Sequence, residues 1–135
     1  MKIRFTLIVL LFVILSCKQT KVKNNDSALV GKWSIYQTIA FQDNDDSVSN
    51  NCTTCPKIEF IKDHTGSIKR LDDQLQHFDW EINEDGLAIT HNPDDKIKGI
   101  IIDDGTYQLI PGDKKAIKQI TLSDTVKNLK YILRR

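Results

Sequence analysis

His77-Phe78-Asp79-Trp80-Glu81-Ile82-Asn83 sets three large apolar side chains, Phe78, Trp80 and Ile82, in alternation with charged ones. Successive side chains of an extended strand point to opposite faces, so this order builds a strand with one buried and one wetted side. Glu84-Asp85-Gly86 follows as a turn, and Leu87 and Ile89 carry the alternation back along a second strand. Moving outward, residues 33–41 (WSIYQTIAF) place Trp33, Ile35, Gln37, Ile39 and Phe41 on one face and Ser34, Tyr36, Thr38 and Ala40 on the other. A helix would put Trp33 and Ile35 on different sides, so the pattern predicts a strand. Residues 57–62 alternate through Ile58 and Phe60 into a turn at Asp63-His64-Thr65-Gly66, with a return strand over 67–71.

The second half of the chain repeats the arrangement. Asn92-Pro93-Asp94-Asp95 reads as a loop, because proline removes a donor and restricts its neighbour. Short strands are expected over 97–102, 106–110, 117–122 and 126–134, the last with Leu129, Tyr131 and Leu133 on one face. Ser27-Ala28-Leu29-Val30 is expected to form a single helical turn ahead of the first strand. The sum is an all-β domain, an eight- to nine-stranded up-and-down antiparallel barrel, with a β-sandwich as the competing arrangement. Closure into a barrel removes the exposed edges that an open sheet would carry.

The aromatic residues expected to face inward are Trp33, Phe41, Phe60, Phe78, Trp80 and Tyr107. An eight-stranded barrel is just wide enough either to be filled by such side chains or to hold one small ligand. Phe60, Phe78, Trp80 and Tyr107 are therefore the residues expected to line a cavity for a small hydrophobic molecule, if the interior is not simply packed with them. His91 continues the Leu87, Ile89 alternation and is placed to face inward near a barrel end.

The N-terminus carries a different message. Lys2 and Arg4 precede an uncharged apolar run from Phe5 to Leu15, which is well short of the roughly 20 residues that span a bilayer. This is the order of a secretory signal. Ile14-Leu15-Ser16-Cys17 resembles the bacterial lipoprotein lipobox, which implies that residues 1–16 are a signal peptide and that Cys17 is acylated as the mature N-terminus. Residues 17–28 then read as the lipidated end and a polar tether, and 29–135 as the barrel domain. Removing Lys2 and Arg4 takes the formal charge from +1 to −1, and no basic stripe is present, so nucleic acid is not an expected partner. The expected partner is the bilayer itself, through Cys17, at the periplasmic face of a bacterial envelope.

Gly31-Lys32-Trp33 at the start of the first strand, followed by hairpins over Leu29 to Arg135, resembles the lipocalin-like lipoproteins of bacteria. The resemblance implies that Trp33 plugs the closed end of the barrel, that Gly31 lets the backbone pass beside it, and that a basic residue of the last strand, Arg134, packs over the indole. A second likeness runs through Cys52-Thr53-Thr54-Cys55-Pro56 to Asp63-His64-Thr65-Gly66. This stretch is similar to the N-terminal barrel of envelope-stress and copper-resistance lipoproteins, which implies a non-catalytic envelope-stress or interaction module.

With Cys17 acylated, Cys52 and Cys55 are the remaining thiols, three positions apart. In an oxidising compartment they form a local disulfide most simply; a redox-active pair and a thiolate metal site are the other readings. No further ligand set stands beside them, and neither a metal nor a cofactor is expected. Acidic pairs at Asp45-Asp46, Asp72-Asp73, Glu84-Asp85, Asp94-Asp95 and Asp103-Asp104 fall in expected turns, where aspartate bonds to nearby backbone. The motifs of zinc proteases, EF-hands and serine hydrolases are missing, so the chain is not expected to be an enzyme.

Overall fold

The computed structural model describes residues 26–41, 47–95, 99–112 and 118–135. The expected signal peptide, Cys17 and most of the tether lie outside the described residues. Among the described residues, nine strands follow a four-residue helix, Asp26–Leu29: β1 (Gly31–Phe41), β2 (Ser47–Asn51), β3 (Lys57–Phe60), β4 (Thr65–Lys69), β5 (Leu75–Asn83), β6 (Gly86–His91), β7 (Gly105–Pro111), β8 (Gln119–Asp124) and β9 (Leu129–Arg134). All neighbours are antiparallel, and β9 returns to pair with β1, so eight strands close into a barrel with β2 as an extra.

One departure from simple alternation shapes β1. Opposite β9, Ile35 faces Leu133 but Gln37 faces Ile132, which leaves Tyr36 as a one-residue bulge. A one-residue slip reverses every later side chain. Trp33 and Ile35 therefore point into the barrel, whereas Gln37, Ile39 and Phe41 share the outer face with Lys130 and Ile132. This corrects the expectation that all five lie on one inner face. Phe41 sits outside, with the Lys130 ammonium 4.6 Å from its ring centre.

On its other edge, β1 is paired by two short strands in succession. Gly31–Ser34 meets β3, and Gln37–Phe41 meets β2. Residues 52–56 bridge the two pieces, held by Ile35 N–H donating to Pro56 O at 2.9 Å and Cys52 N–H donating to Tyr36 O at 3.3 Å. Ser47–Asn51 has no apolar alternation to announce a strand; β1 supplies its ladder. Residues 99–102, expected to lie in a strand, form none. Gly99 takes a positive φ of +80°, and Ile102 is buried by folding over the barrel end rather than by pairing.

Inside, the even positions of β5 (Gln76, Phe78, Trp80) interleave with Ile58 and Phe60 of β3, Ile68 of β4 and Leu87 and Ile89 of β6, all buried. Packing at Gly66 is tight. A Cβ there would overlap the Phe78 ring opposite and lie 2.7 Å from Glu59 O. Gly66→Ala is therefore expected to destabilise the barrel by about 1–3 kcal/mol, the usual range for overpacking. Urea unfolding checks this as a lower midpoint with an unchanged slope.

Candidate functional site

The base of the barrel, where the chain enters and ends, is closed. Trp33 is buried, and its indole N–H donates to Leu29 O at 2.7 Å. The cation over its ring is Arg135, 4.2 Å from the centre. Arg135 also donates to Val30 O at 3.0 Å and Ala28 O at 3.2 Å, tying the C-terminus to the entry turn. Arg134, the residue expected there, lies on the opposite side of the wall with its guanidinium 3.8 Å from the Tyr36 ring centre. The reason is phase: Tyr131 and Leu133 face inward, so Arg134 faces out and the next residue turns back over the base. Gly31 has φ +127°, and a Cβ on it would come within 2.7 Å of the Arg135 guanidinium.

The middle is filled with aromatic side chains. Phe60 meets Phe78 edge-on at 5.5 Å and Trp80 edge-on at 5.6 Å. Trp80 also donates its indole N–H to Thr65 O at 2.8 Å, and His64 stacks flat on it at 4.9 Å. Tyr107 packs edge-on against Tyr131 and donates its hydroxyl to Asp103 O at 2.7 Å. The structure thus brings Phe60, Phe78 and Trp80 together, places Tyr107 in a second cluster, and buries all four. Their ring faces are spent on one another.

The polar feature lies at the other end, the mouth, under the connection between β6 and β7. Gln76 opens the inward row of β5, and His91 closes the inward row of β6 beside Phe78, 6.1 Å between rings. Two carboxylates from the connection clasp the strand ends in the same way. Asp95 Oδ2 accepts from His77 N–H at 2.6 Å and lies 3.2 Å from His77 Nδ1. Asp104 Oδ1 accepts from His91 N–H and lies next to His91 Nδ1, both at 2.7 Å. Gly99 O accepts from the Arg70 guanidinium and from Gln76 Nε2 at 3.2 Å. Lys127 donates to Asp103 Oδ2 at 3.0 Å.

These contacts frame a cleft of about 290 Å³, open to solvent, whose lining includes Gln76, His91, Asp95, Asp104, Pro93 and Ile100. Gln76 is only 1% exposed and the His91 side chain 9% exposed, yet Gln76 Oε1 and His91 Nε2 are buried without a hydrogen-bond partner. Burial pushes the Asp104 carboxyl up, but the hydrogen bonds from the His91 ring and backbone, with the nearby charges of His91 and Lys127, bring it below its usual value.

The sequence carried a signal for part of this. Stepping the alternation of Phe78 and Trp80 back by two residues places Gln76 inside, and His91 was placed inside by the same rule. Asp95 and Asp104 gave none, since only the folded connection brings them to the histidines. Elsewhere, aspartate and asparagine side chains bond to turn backbone: Asp63 Oδ1 accepts from Thr65 N–H at 3.0 Å, and Asp124 Oδ1 from Val126 N–H at 2.9 Å. Cys52 and Cys55 lie at disulfide distance, with Cα atoms 5.2 Å apart, across the bridging segment between β2 and β3. Among the described residues, no group of three or more His, Cys, Asp or Glu side chains is placed to hold a metal ion.

Fold and site together define a closed antiparallel barrel with a plugged base, an aromatic centre and a polar mouth. Searches against models of protein families, against curated proteins and against solved structures return no match.

The second aromatic cluster carries a pH signature. Burial raises the Tyr131 phenol to about 12, with the charges of Asp103 and Asp124 adding to it. Burial likewise lifts Tyr107 above its ordinary value, helped by Tyr131 and by Asp124, Asp103 and Asp104. Both are neutral when folded but ionise near pH 10 when unfolded. The stability they contribute is intact below pH 10 and falls as pH rises from 10 toward 12, by up to about 1.4 kcal/mol per pH unit for each. Thermal unfolding from pH 9 to 12 is expected to show this fall, and Tyr131→Phe to flatten it.

Proposed function

We propose that this chain is a bacterial envelope lipoprotein of the lipocalin-like kind, anchored through acylated Cys17 and facing the periplasm. On this reading it is a non-catalytic binding module, and its ligand is held at the mouth of the barrel rather than in its centre. One observation carries the choice of place: Gln76 and His91 border the mouth cleft, each with a buried side-chain polar atom that lacks a partner, and that of Gln76 is an acceptor. A buried unpaired acceptor is costly, about 1–3 kcal/mol, and a bound molecule that donates to it recovers that energy. The centre offers no such opportunity, because Phe60, Phe78 and Trp80 already satisfy one another by packing.

The alternative is an interaction module with a solid barrel and a Cys52–Cys55 loop that responds to redox state or metal. The packed centre favours it equally; the unpartnered atoms at the mouth do not.

The test is to express the full chain in a bacterium with an outer membrane, fractionate the cells, and examine the natively extracted protein by mass spectrometry. Wild type is expected in the membrane fraction with a non-covalently bound small molecule. Cys17→Ser is expected to move the protein to the soluble fraction, and Gln76→Leu to remove the molecule while Trp80→Phe keeps it. Loss on Trp80→Phe but not on Gln76→Leu would return the ligand to the barrel centre. An empty wild-type protein would favour the interaction module.

A further inference from the structure

We propose that the mouth cleft recognises a small organic cation through its N–H donors, with a primary ammonium as the group received. This rests on the reading of the mouth as the ligand site and adds the chemistry of what it takes.

The first support is hydrogen-bond polarity. Gln76 Nε2 donates to Gly99 O, which fixes its amide and leaves Oε1 as a buried acceptor. His91 Nδ1 faces Asp104 Oδ1 and its Nε2 is buried without a partner; in the Nδ1–H tautomer that nitrogen is an acceptor as well. Gln76 Oε1 thus asks for a donor, and His91 Nε2 asks for one in that tautomer. An ammonium supplies three, while a carboxylate or phosphate supplies only acceptors.

The second is charge. Asp95 and Asp104 line the cleft, and among its described lining residues no lysine or arginine is present. Among the described residues at this end, Arg70 donates to Gly99 O and pairs with Asp72 at 3.4 Å, and Lys127 pairs with Asp103 at 3.0 Å. Each histidine clasp uses one carboxylate oxygen, Oδ2 of Asp95 and Oδ1 of Asp104. The second oxygen of each carboxylate remains able to accept from a cation. Hydrogen bonds in which both partners are charged are the stronger kind.

The third is size and surface. A volume of about 290 Å³ suits a short molecule, and Pro93 and Ile100 give its carbon chain an apolar wall. Ile100 is half exposed on the connection above the cleft, where it would be covered by such a chain.

Three probes of like size separate these ideas: n-butylammonium, 1-butanol and butyrate, each titrated at neutral pH into the full mature protein in neutral-detergent micelles. NMR follows the Gln76 side-chain amide and the His91 ring. Saturable shifts of both signals with n-butylammonium are expected, with binding of 1-butanol and butyrate weaker by about tenfold or more, as loss of a charge-assisted hydrogen bond implies. Gln76→Leu and Asp104→Asn are each expected to weaken n-butylammonium by a similar factor. Should Asp104→Asn disturb the connection, Asp95→Asn tests the charge requirement independently. If 1-butanol or butyrate shifts the two signals as strongly as n-butylammonium, the mouth stands as a ligand site but its preference for ammonium is overturned. If none of the three moves either signal, both the preference and the mouth site are overturned.

Discussion

The pairing of β1 with β9 is the constraint from which the rest of the molecule follows. An antiparallel sheet with one apolar face must bury that face, and rolling until the first and last strands meet does so without leaving an edge. Here Ser34 to Ala40 of β1 lie against Leu129 to Arg134 of β9. Closure brings Arg135 back across the entry turn, where it covers Trp33 and bonds to two carbonyl oxygens of the first turn. The plugged base is thus a product of the same contact that closes the wall. The Tyr36 bulge belongs to it too: by turning Phe41 outward it relieves the interior of one large ring and leaves room for the smaller Thr38 and Ala40.

A closed wall gives the two ends different characters. At the base, indole, guanidinium and carbonyl groups satisfy one another, and Asp26 Oδ1 of the entry helix is the one buried side-chain atom there, among the described residues, without a partner. At the mouth, two strands end in inward polar residues, Gln76 and His91, and the connection above them is clasped through Asp95 and Asp104. One buried polar atom on each of the two inward residues is left without a partner. A barrel selected for stability alone would do better with apolar side chains at these positions, since replacing unsatisfied buried polar groups by apolar ones of the same shape is neutral or stabilising. That imbalance, set against an aromatic centre with none, is why the functional reading falls on the mouth.

Much of the wall was legible from residue order. Alternation in 77–83, 87–91 and 129–133 follows from the two-residue period of a strand, and the structure keeps each of those faces. What alternation cannot register is a change of phase. The Tyr36 bulge reversed Gln37, Ile39 and Phe41, and the phase of β9 gave the Trp33 ring to Arg135 instead of Arg134. Ser47–Asn51 is held by backbone pairing with β1, which leaves no mark on side-chain polarity. Ile102 is buried without pairing, so an apolar run there imitated a strand. The candidate site was half visible: Gln76 and His91 obey the alternation, whereas Asp95 and Asp104 reach them only across a folded connection.

The central claim is that the wall is closed, and amide hydrogen exchange tests it most directly. If β1 and β9 are paired, the ladder amides within Ser34 to Ala40 and Leu129 to Arg134 are expected to exchange only through global unfolding, as slowly as those of β5 and β6. Exchange of the β9 amides at the rate of turn residues, while β5 and β6 remain protected, would show an open sheet. The plugged base and the ordered mouth would then lose their foundation.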